Sequence, residues 1–434
     1  MAKVKKEVTE TKVIDRNKIP RTDTNELLDA LQAKLGGDAV VLQRGEEIEG
    51  RFDLRRPSGI VQLDIACGGG LPAGGLSQID GLDGIGKNLL LNHYLANQQR
   101  IHRGSTNIGM VCLEGAFDKL FARAIGVKVA LSNYEIEAIG RERHLKGQPE
   151  LTSEEADEFR EQIGNFHVFR GAAAEKILEG VVDWVACNAY QIIGIDSWDA
   201  MLTIADENKE LEDNAKVADA SNVQTRWMRK VFGALSPQKI CPECLNRPLG
   251  FKLFGKGNYS YKCGNGDCSW EGQRPYMWEN ETTIIGLRQV RANLKQYGHA
   301  REYKTTGAYA LRHGKMIDIQ LRKGKAITVK DKDVGKEIVW ELTKGKAGTH
   351  EGLTGTYNYY FNPPQIDVAA DLENYCVTNN IITYGGSKVG FLLGEMKLGS
   401  KEEMQRRIEE DNDFQSLLRI EAIKFAGQGH IRYK

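Results

Sequence analysis

The sequence predicts an α/β protein, a mainly parallel sheet flanked by helices with a smaller C-terminal unit, and three observations predict it. Short apolar runs (LSQID, NIGMVCLE, FHVFRG, YQIIGIDS) each precede a segment of helical pattern between Gly59 and about Ser236, the alternation that parallel strands with crossover helices require. The run LSQID passes straight into a glycine-rich loop and a helix. A length of 434 residues is about three times the ~150-residue prior for one domain, so companions to the core are expected.

Residues 1–50 are expected to form a polar arm followed by one amphipathic helix, in which Leu27, Leu28, Leu31 and Leu35 recur at helical spacing. The core is expected over 51–364, with TTIIGLRQV and MIDIQLRKG continuing its sheet after Trp278. Residues 237–280 interrupt that pattern with Cys, Gly and aromatics and are expected to be an insertion. From 365 to 434 helical patterns return, as in DVAADLENYCVTNN, and a small C-terminal α/β domain is expected.

Composition narrows the function. Hydrophobic residues are 41% and charged residues 27%, which excludes disordered and fibrous classes. Lys+Arg and Asp+Glu balance at 59 each, so a grip on nucleic acid must come from local basic patches. The charged start lacks a signal-type apolar segment and no later run is long enough to span a bilayer, so a cytoplasmic, nucleoid-associated location is expected.

The central motif is Gly81-Leu82-Asp83-Gly84-Ile85-Gly86-Lys87-Asn88, followed by Leu89 and a helical run. This is the G-x4-G-K spacing in a strand–loop–helix setting: small residues let backbone N–H groups surround phosphates, the helix N-terminus adds positive potential, and Lys87 reaches the outer phosphates. ATP with Mg²⁺ is the expected ligand. Asn88 stands where a hydroxyl residue usually meets the metal; its amide oxygen is a neutral hard ligand, which leaves nucleotide binding intact and the hydrolysis rate in doubt. Asp196, closing the apolar strand of YQIIGIDS, suits a carboxylate that holds Mg²⁺. Glu114, closing IGMVCLE, suits activation of the attacking water.

Between Arg288 and Lys315 lie seven Lys/Arg against one acid, Glu302, among tyrosines and histidines. Cations for phosphates and rings for bases suit a single strand, and Arg291, Lys295, Arg301, Lys304 and Arg312 are assigned to DNA. The segment ADENKELEDNAKVADASN is acidic, and only Lys216 and Arg226 are named for DNA there.

Cys241 and Cys244, then Cys263 and Cys268, give C-x2-C-x18-C-x4-C, close to a zinc ribbon; four thiolates complete a tetrahedral Zn²⁺ and imply a structural site. Lys252, Lys256 and Lys262 with neighbouring aromatics fit either a second nucleic-acid surface or partner docking.

With these residues assembled, the chain resembles the RecA-family recombinases of bacteria and phages over roughly residues 24–390 less the insertion. The phrases SGIVQLDIACGGGLPAGGLSQIDG, LEGAFDKLFARAIGV, IIGIDS, IGLRQVR, KTTGAYALRHG and TKGKAGTHEGLTG carry the likeness in order. The resemblance implies an ATP-dependent recombinase that forms helical filaments on single-stranded DNA and pairs it with double-stranded DNA. It implies Glu114 as the catalytic glutamate, Asp118 and Phe121 at the adenine, Gln289 as the γ-phosphate sensor, and Lys344 and Lys346 as cations reaching a neighbouring protomer's ATP. A hexameric RecA-fold helicase and an ATP-gated DNA-binding filament with little hydrolysis are the alternatives. The unusual loop and insertion suggest a phage-encoded protein.

Overall fold

The computed structural model describes residues 53–102, 106–114, 117–149, 152, 154–155, 165–171, 174–200, 218–245, 249–254, 259–292, 303–305 and 313–428. They fall into two compact units, a large one (49–236 and 279–434) and a small one that includes 237–278.

The large unit is built on a mixed sheet. We label its strands β1 (Leu76–Gly81), β2 (Asn107–Cys112), β3 (Asn165–Arg170), β4 (Ile192–Asp196), β5 (Thr283–Ala292), β6 (Tyr303–Thr305), β7 (Ile317–Val329), β8 (Lys332–Gly345), β9 (Thr354–Phe361) and β10 (Pro364–Ile366). The order is β10-β9-β8-β7-β1-β5-β4-β2-β3, with β6 paired to β5. From β7 to β3 every neighbour is parallel, while β7, β8, β9 and β10 form an antiparallel meander.

The expected parallel core is therefore present, and it is extended by the antiparallel strands. The difference is legible in hindsight: β7 and β8 are joined by the two left-handed residues Lys330 and Asp331, the turn of a tight hairpin.

Helix α1 (Lys87–His102) follows β1 and is buried along most of its length. Its Leu90, Leu91, Tyr94 and Leu95 join Ile79, Leu287 and Ile319 in one apolar core. The opposite face of the sheet packs against helices α2 (Ala174–Ala186) and α3 (Ala218–Ala234) through Leu76, Ile284, Val181, Trp198, Trp227 and Met228. Strand polarity matters for function, because in such sheets ligands bind beyond the carboxyl ends of the parallel strands.

The C-terminal part of this unit carries a three-stranded antiparallel sheet with helices Val368–Thr378, Lys401–Glu410 and Asn412–Phe425, packed through Leu372, Met404, Ile408 and Leu418. Ser400 and Glu403 form a capping box that starts the second of these helices.

Candidate functional site

The loop after β1 and the carboxyl ends of β2, β4 and β5 converge on one cleft of about 310 Å³, lined by Asp83, Gly84, Gly86, Lys87, Asn88, Leu89, Glu114, Phe121, Asp196, Ser197, Leu287, Gln289 and Tyr359. Gly84 and Gly86 have φ of 65° and 113°, a conformation a Cβ would oppose, so glycine is what lets this loop turn. Lys87 Nζ donates to the carbonyls of Gly81 at 3.1 Å and Leu82 at 2.9 Å, which folds the lysine over the loop. Burial lowers the pKa of this lysine, while Asp83 and Asp196 oppose that shift.

Asp196 ends β4, and burial, with Glu114 nearby, pushes its carboxyl up to about 6. A divalent cation would reverse that penalty by stabilising the ionised form. Asn88 Nδ2 donates to Asp196 Oδ2 at 2.9 Å, and Asn88 Oδ1 in turn accepts from Asn92. It is thus the amide nitrogen of Asn88, not its oxygen, that faces the carboxylate. Beside an anionic carboxylate with no cation between them, a donor is the stable orientation of the amide. The donor set of Asp196, Glu114 and the loop fits Mg²⁺ held mainly by phosphates and water, the ion's usual habit.

Glu114 is exposed at the end of β2 and accepts from Ser197 Oγ at 2.8 Å, a partner the sequence reading did not name. Gln289 lies at the end of the regularly paired part of β5, and its backbone N–H donates to Asp199 Oδ2 at 2.6 Å, tying β5 to the loop after Asp196. Asp118 caps the helix Lys119–Ile125 by accepting from Phe121 N at 2.9 Å. An aspartate before a helix satisfies its first free N–H groups, and Asp118 is not among the residues that line the cleft. Phe121 does line the cleft, as does Tyr359 on β9, which was not anticipated. Lys336 on β8 donates to Gly84 O at 2.8 Å with its ammonium 5.8 Å from the Tyr359 ring, so the antiparallel extension also reaches the loop.

Lys344 and Lys346 are not brought to this cleft. Lys344 pairs with Asp318, which pairs with Gln78, three residues before Gly81 and toward the opposite edge of the sheet. Lys346 donates to His313 O at 2.8 Å. Desolvation and the neighbouring Lys346 and Lys315 bring the Lys344 ammonium down to about 8.

Of the seven cations counted in the basic segment, Arg288 and Lys315 are buried, Arg288 against Asp80 and Lys315 against Asp318. They are structural, which corrects the charge count; nothing in a linear sequence separates a stem cation from a loop cation. The backbone of Arg291 pairs with that of Lys304, so the segment leaves and returns through a hairpin stem. Lys295, Arg301, Arg312 and Lys216, like the side chains of Arg291 and Lys304, lie outside the described residues, and so does the N-terminal helix. Arg226 is exposed on α3.

In the small unit, described by itself, strands Leu249–Leu253, Tyr259–Cys263 and Glu271–Gly272 form one antiparallel sheet and Gln238–Ile240 pairs with Tyr276–Trp278. The sulfurs of Cys241, Cys244, Cys263 and Cys268 all lie within 4.8 Å of one another. Phe251, Tyr259 and Tyr261 pack beside them. Four thiols gathered this closely from two separate stretches of chain have the number and chemistry that a tetrahedral Zn²⁺ requires.

A glycine-rich loop between β1 and α1, a carboxylate closing β4 and a glutamate closing β2, on this strand order, define a P-loop nucleotide-binding protein with a RecA-like α/β core. Comparison with known proteins is more particular. No family model matches. The chain is similar to Protein RecA of Thermus thermophilus, 25% identical over 92% of this chain and 93% of that one. It is likewise similar to Protein RecA of Porphyromonas gingivalis, 26% identical over 82% and 80%, and of Fusobacterium nucleatum, 24% identical over 80% and 69%. The likeness to RecA proteins thus runs through nearly the whole chain. No helix among the described residues is long and apolar enough to cross a membrane.

Proposed function

We propose that this protein is an ATP-dependent DNA recombinase that assembles as a helical filament on single-stranded DNA and pairs it with homologous double-stranded DNA. The observation that carries the reading is the convergence of Lys87, Asp196, Glu114 and Gln289 on one cleft, with Gln289 leading directly into the basic hairpin. In this account the loop and Lys87 hold the triphosphate, and Asp196 holds the hydrated Mg²⁺. Glu114, oriented by Ser197, takes a proton from the attacking water. Gln289 contacts the terminal phosphate or its water and passes that contact to the basic segment it leads into. Phe121 and Tyr359 offer ring faces to a base.

The relatives are named RecA, which supports ATPase and recombinase activity at the level of the family. Lys344 and Lys346 do not line this chain's own cleft, as is expected of cations that complete a neighbour's site. Such a head-to-tail contact does not close on itself and builds a filament. Glu114→Gln should lower DNA-stimulated phosphate release at least about 100-fold while leaving nucleotide affinity within a few-fold, measured by phosphate release and fluorescent-nucleotide binding. Unchanged turnover would remove Glu114 from the chemistry.

Asn88 is the point at which turnover is open. Asn88→Thr should raise phosphate release if the amide's donation to Asp196 restrains the metal, and an inactive natural protein rescued by threonine would favour the alternative of an ATP-gated filament with little hydrolysis. Zn²⁺ bound by the four cysteines would hold the small unit as a structural module. Electron micrographs with a non-hydrolysable ATP analogue and oligo-dT should show extended filaments; closed rings would favour the helicase alternative.

A further inference from the structure

The centre of the sheet holds a buried charge cluster outside the lining of the nucleotide cleft. Asp80 and Arg288 are paired across β1 and β5 and are 2% and 1% exposed. Gln78 Nε2 donates to Asp80 Oδ1 at 2.7 Å, and Lys315 pairs with Asp318 on β7, the strand on the other side of β1. Gln78 and Asp80 alternate with Ile79, so they share the face of Leu76, away from α1. The positions are specific: Asp80 immediately precedes Gly81 of the phosphate loop, Arg288 immediately precedes Gln289, and Lys315 lies just beyond the far end of the basic segment.

Stability alone does not account for such a cluster. Desolvating an ion pair costs about as much as the attraction returns, and apolar replacements of similar volume are often neutral or stabilising. Moreover Gln78 Oε1 and Asp318 Oδ1 find no hydrogen-bond partner among the described residues, so the cluster is not fully satisfied. Unsatisfied buried polar atoms cost free energy, so a cluster that retains them is not explained by its contribution to folding.

We infer that Asp80 and Arg288 are positioning residues that couple nucleotide in the phosphate loop to the basic hairpin, a proposal that rests on the recombinase reading and deepens it. The Gly81 carbonyl accepts from Lys87, and a phosphate competes for that ammonium; the strand end at Asp80 then shifts against Arg288, which carries Gln289 and the start of the hairpin with it. The Lys315–Asp318 pair holds the returning end of the segment to β7.

The test compares the natural protein with Asp80→Asn, Arg288→Met, the apolar pair Asp80→Leu with Arg288→Met, and the exchanged pair Asp80→Arg with Arg288→Asp. Each is measured for thermal midpoint, for affinity toward a fluorescent ATP analogue, and for affinity toward labelled oligo-dT with and without a non-hydrolysable ATP analogue. The expected result is that the apolar pair folds and binds nucleotide within about threefold of the natural protein, yet loses at least tenfold of the nucleotide-dependent gain in oligo-dT affinity. The exchanged pair should recover part of that gain, which a merely structural role would not produce. A folded apolar pair with the full gain overturns the inference. If the natural protein itself shows no nucleotide-dependent gain, it is the recombinase reading that fails; should the apolar pair not fold, Arg288→Met decides by the same ratio, and a full gain there also overturns the inference.

Discussion

Lys87→Ala should abolish nucleotide binding at any practical concentration, with affinity for an ATP analogue lowered at least about 100-fold and nucleotide-dependent binding of oligo-dT lost with it. Lys87 is buried, bridges the Gly81 and Leu82 carbonyls, and is the cation of the cleft set to meet a phosphate directly. Its lowered pKa is due first to burial, so part of the ammonium's hydration is already given up and a phosphate can replace the backbone partners. The sign of the pH dependence follows: lysine is needed charged, so binding should weaken as pH rises toward the lowered pKa. Fluorescent-nucleotide titrations between pH 6.5 and 9.5 measure this. An alanine variant that binds nucleotide within a few-fold of the natural protein would show that the loop amides alone hold the phosphates.

The second large effect is expected at the four cysteines. Double substitution of Cys244 and Cys263 by Ser should release the metal and unfold the small unit, because so short and polar a segment buries little apolar surface: Leu249 and Tyr261 are among its few buried apolar side chains. Structural zinc supplies on the order of 10 kcal/mol to such modules. Metal analysis should find about one zinc per natural chain and almost none in the variant, and limited proteolysis should cut the variant within 237–278 first. Equal protease resistance with and without metal would show that the unit folds on its own. The core's affinity for ATP should be unchanged, since none of the cleft-lining residues comes from this unit.

The phosphate loop was legible because its chemistry is local: closely spaced glycines and a lysine on one turn need no distant partner to be recognised. Glu114 and Asp196 were legible from their places at strand ends. What the sequence could not show is who else occupies those groups. Asn88 reads as a metal ligand by position; the fold adds Asp196 at its Nδ2, while Asn92, one helical turn on, donates to its Oδ1. Asp118 reads as a base contact by likeness, and the fold adds that it caps a helix. Arg288 and Lys315 look like members of a basic patch, and burial against carboxylates, Asp80 on another strand and Asp318 three residues on, removes them from it. Tyr359 and Lys336 reach the cleft through antiparallel strands more than 250 residues from Gly81, a distance no motif spans. The four cysteines, by contrast, were legible from spacing alone and meet as a cluster.

The account stands on one claim, that nucleotide in the cleft decides whether the basic hairpin holds a polynucleotide. Titrating labelled oligo-dT with the natural protein, with and without a non-hydrolysable ATP analogue and Mg²⁺, tests it most directly. The account predicts at least a tenfold tighter complex when the analogue is present, with filaments visible in electron micrographs of the same samples; equal affinity in both samples, or a complex weakened by the analogue, would contradict it.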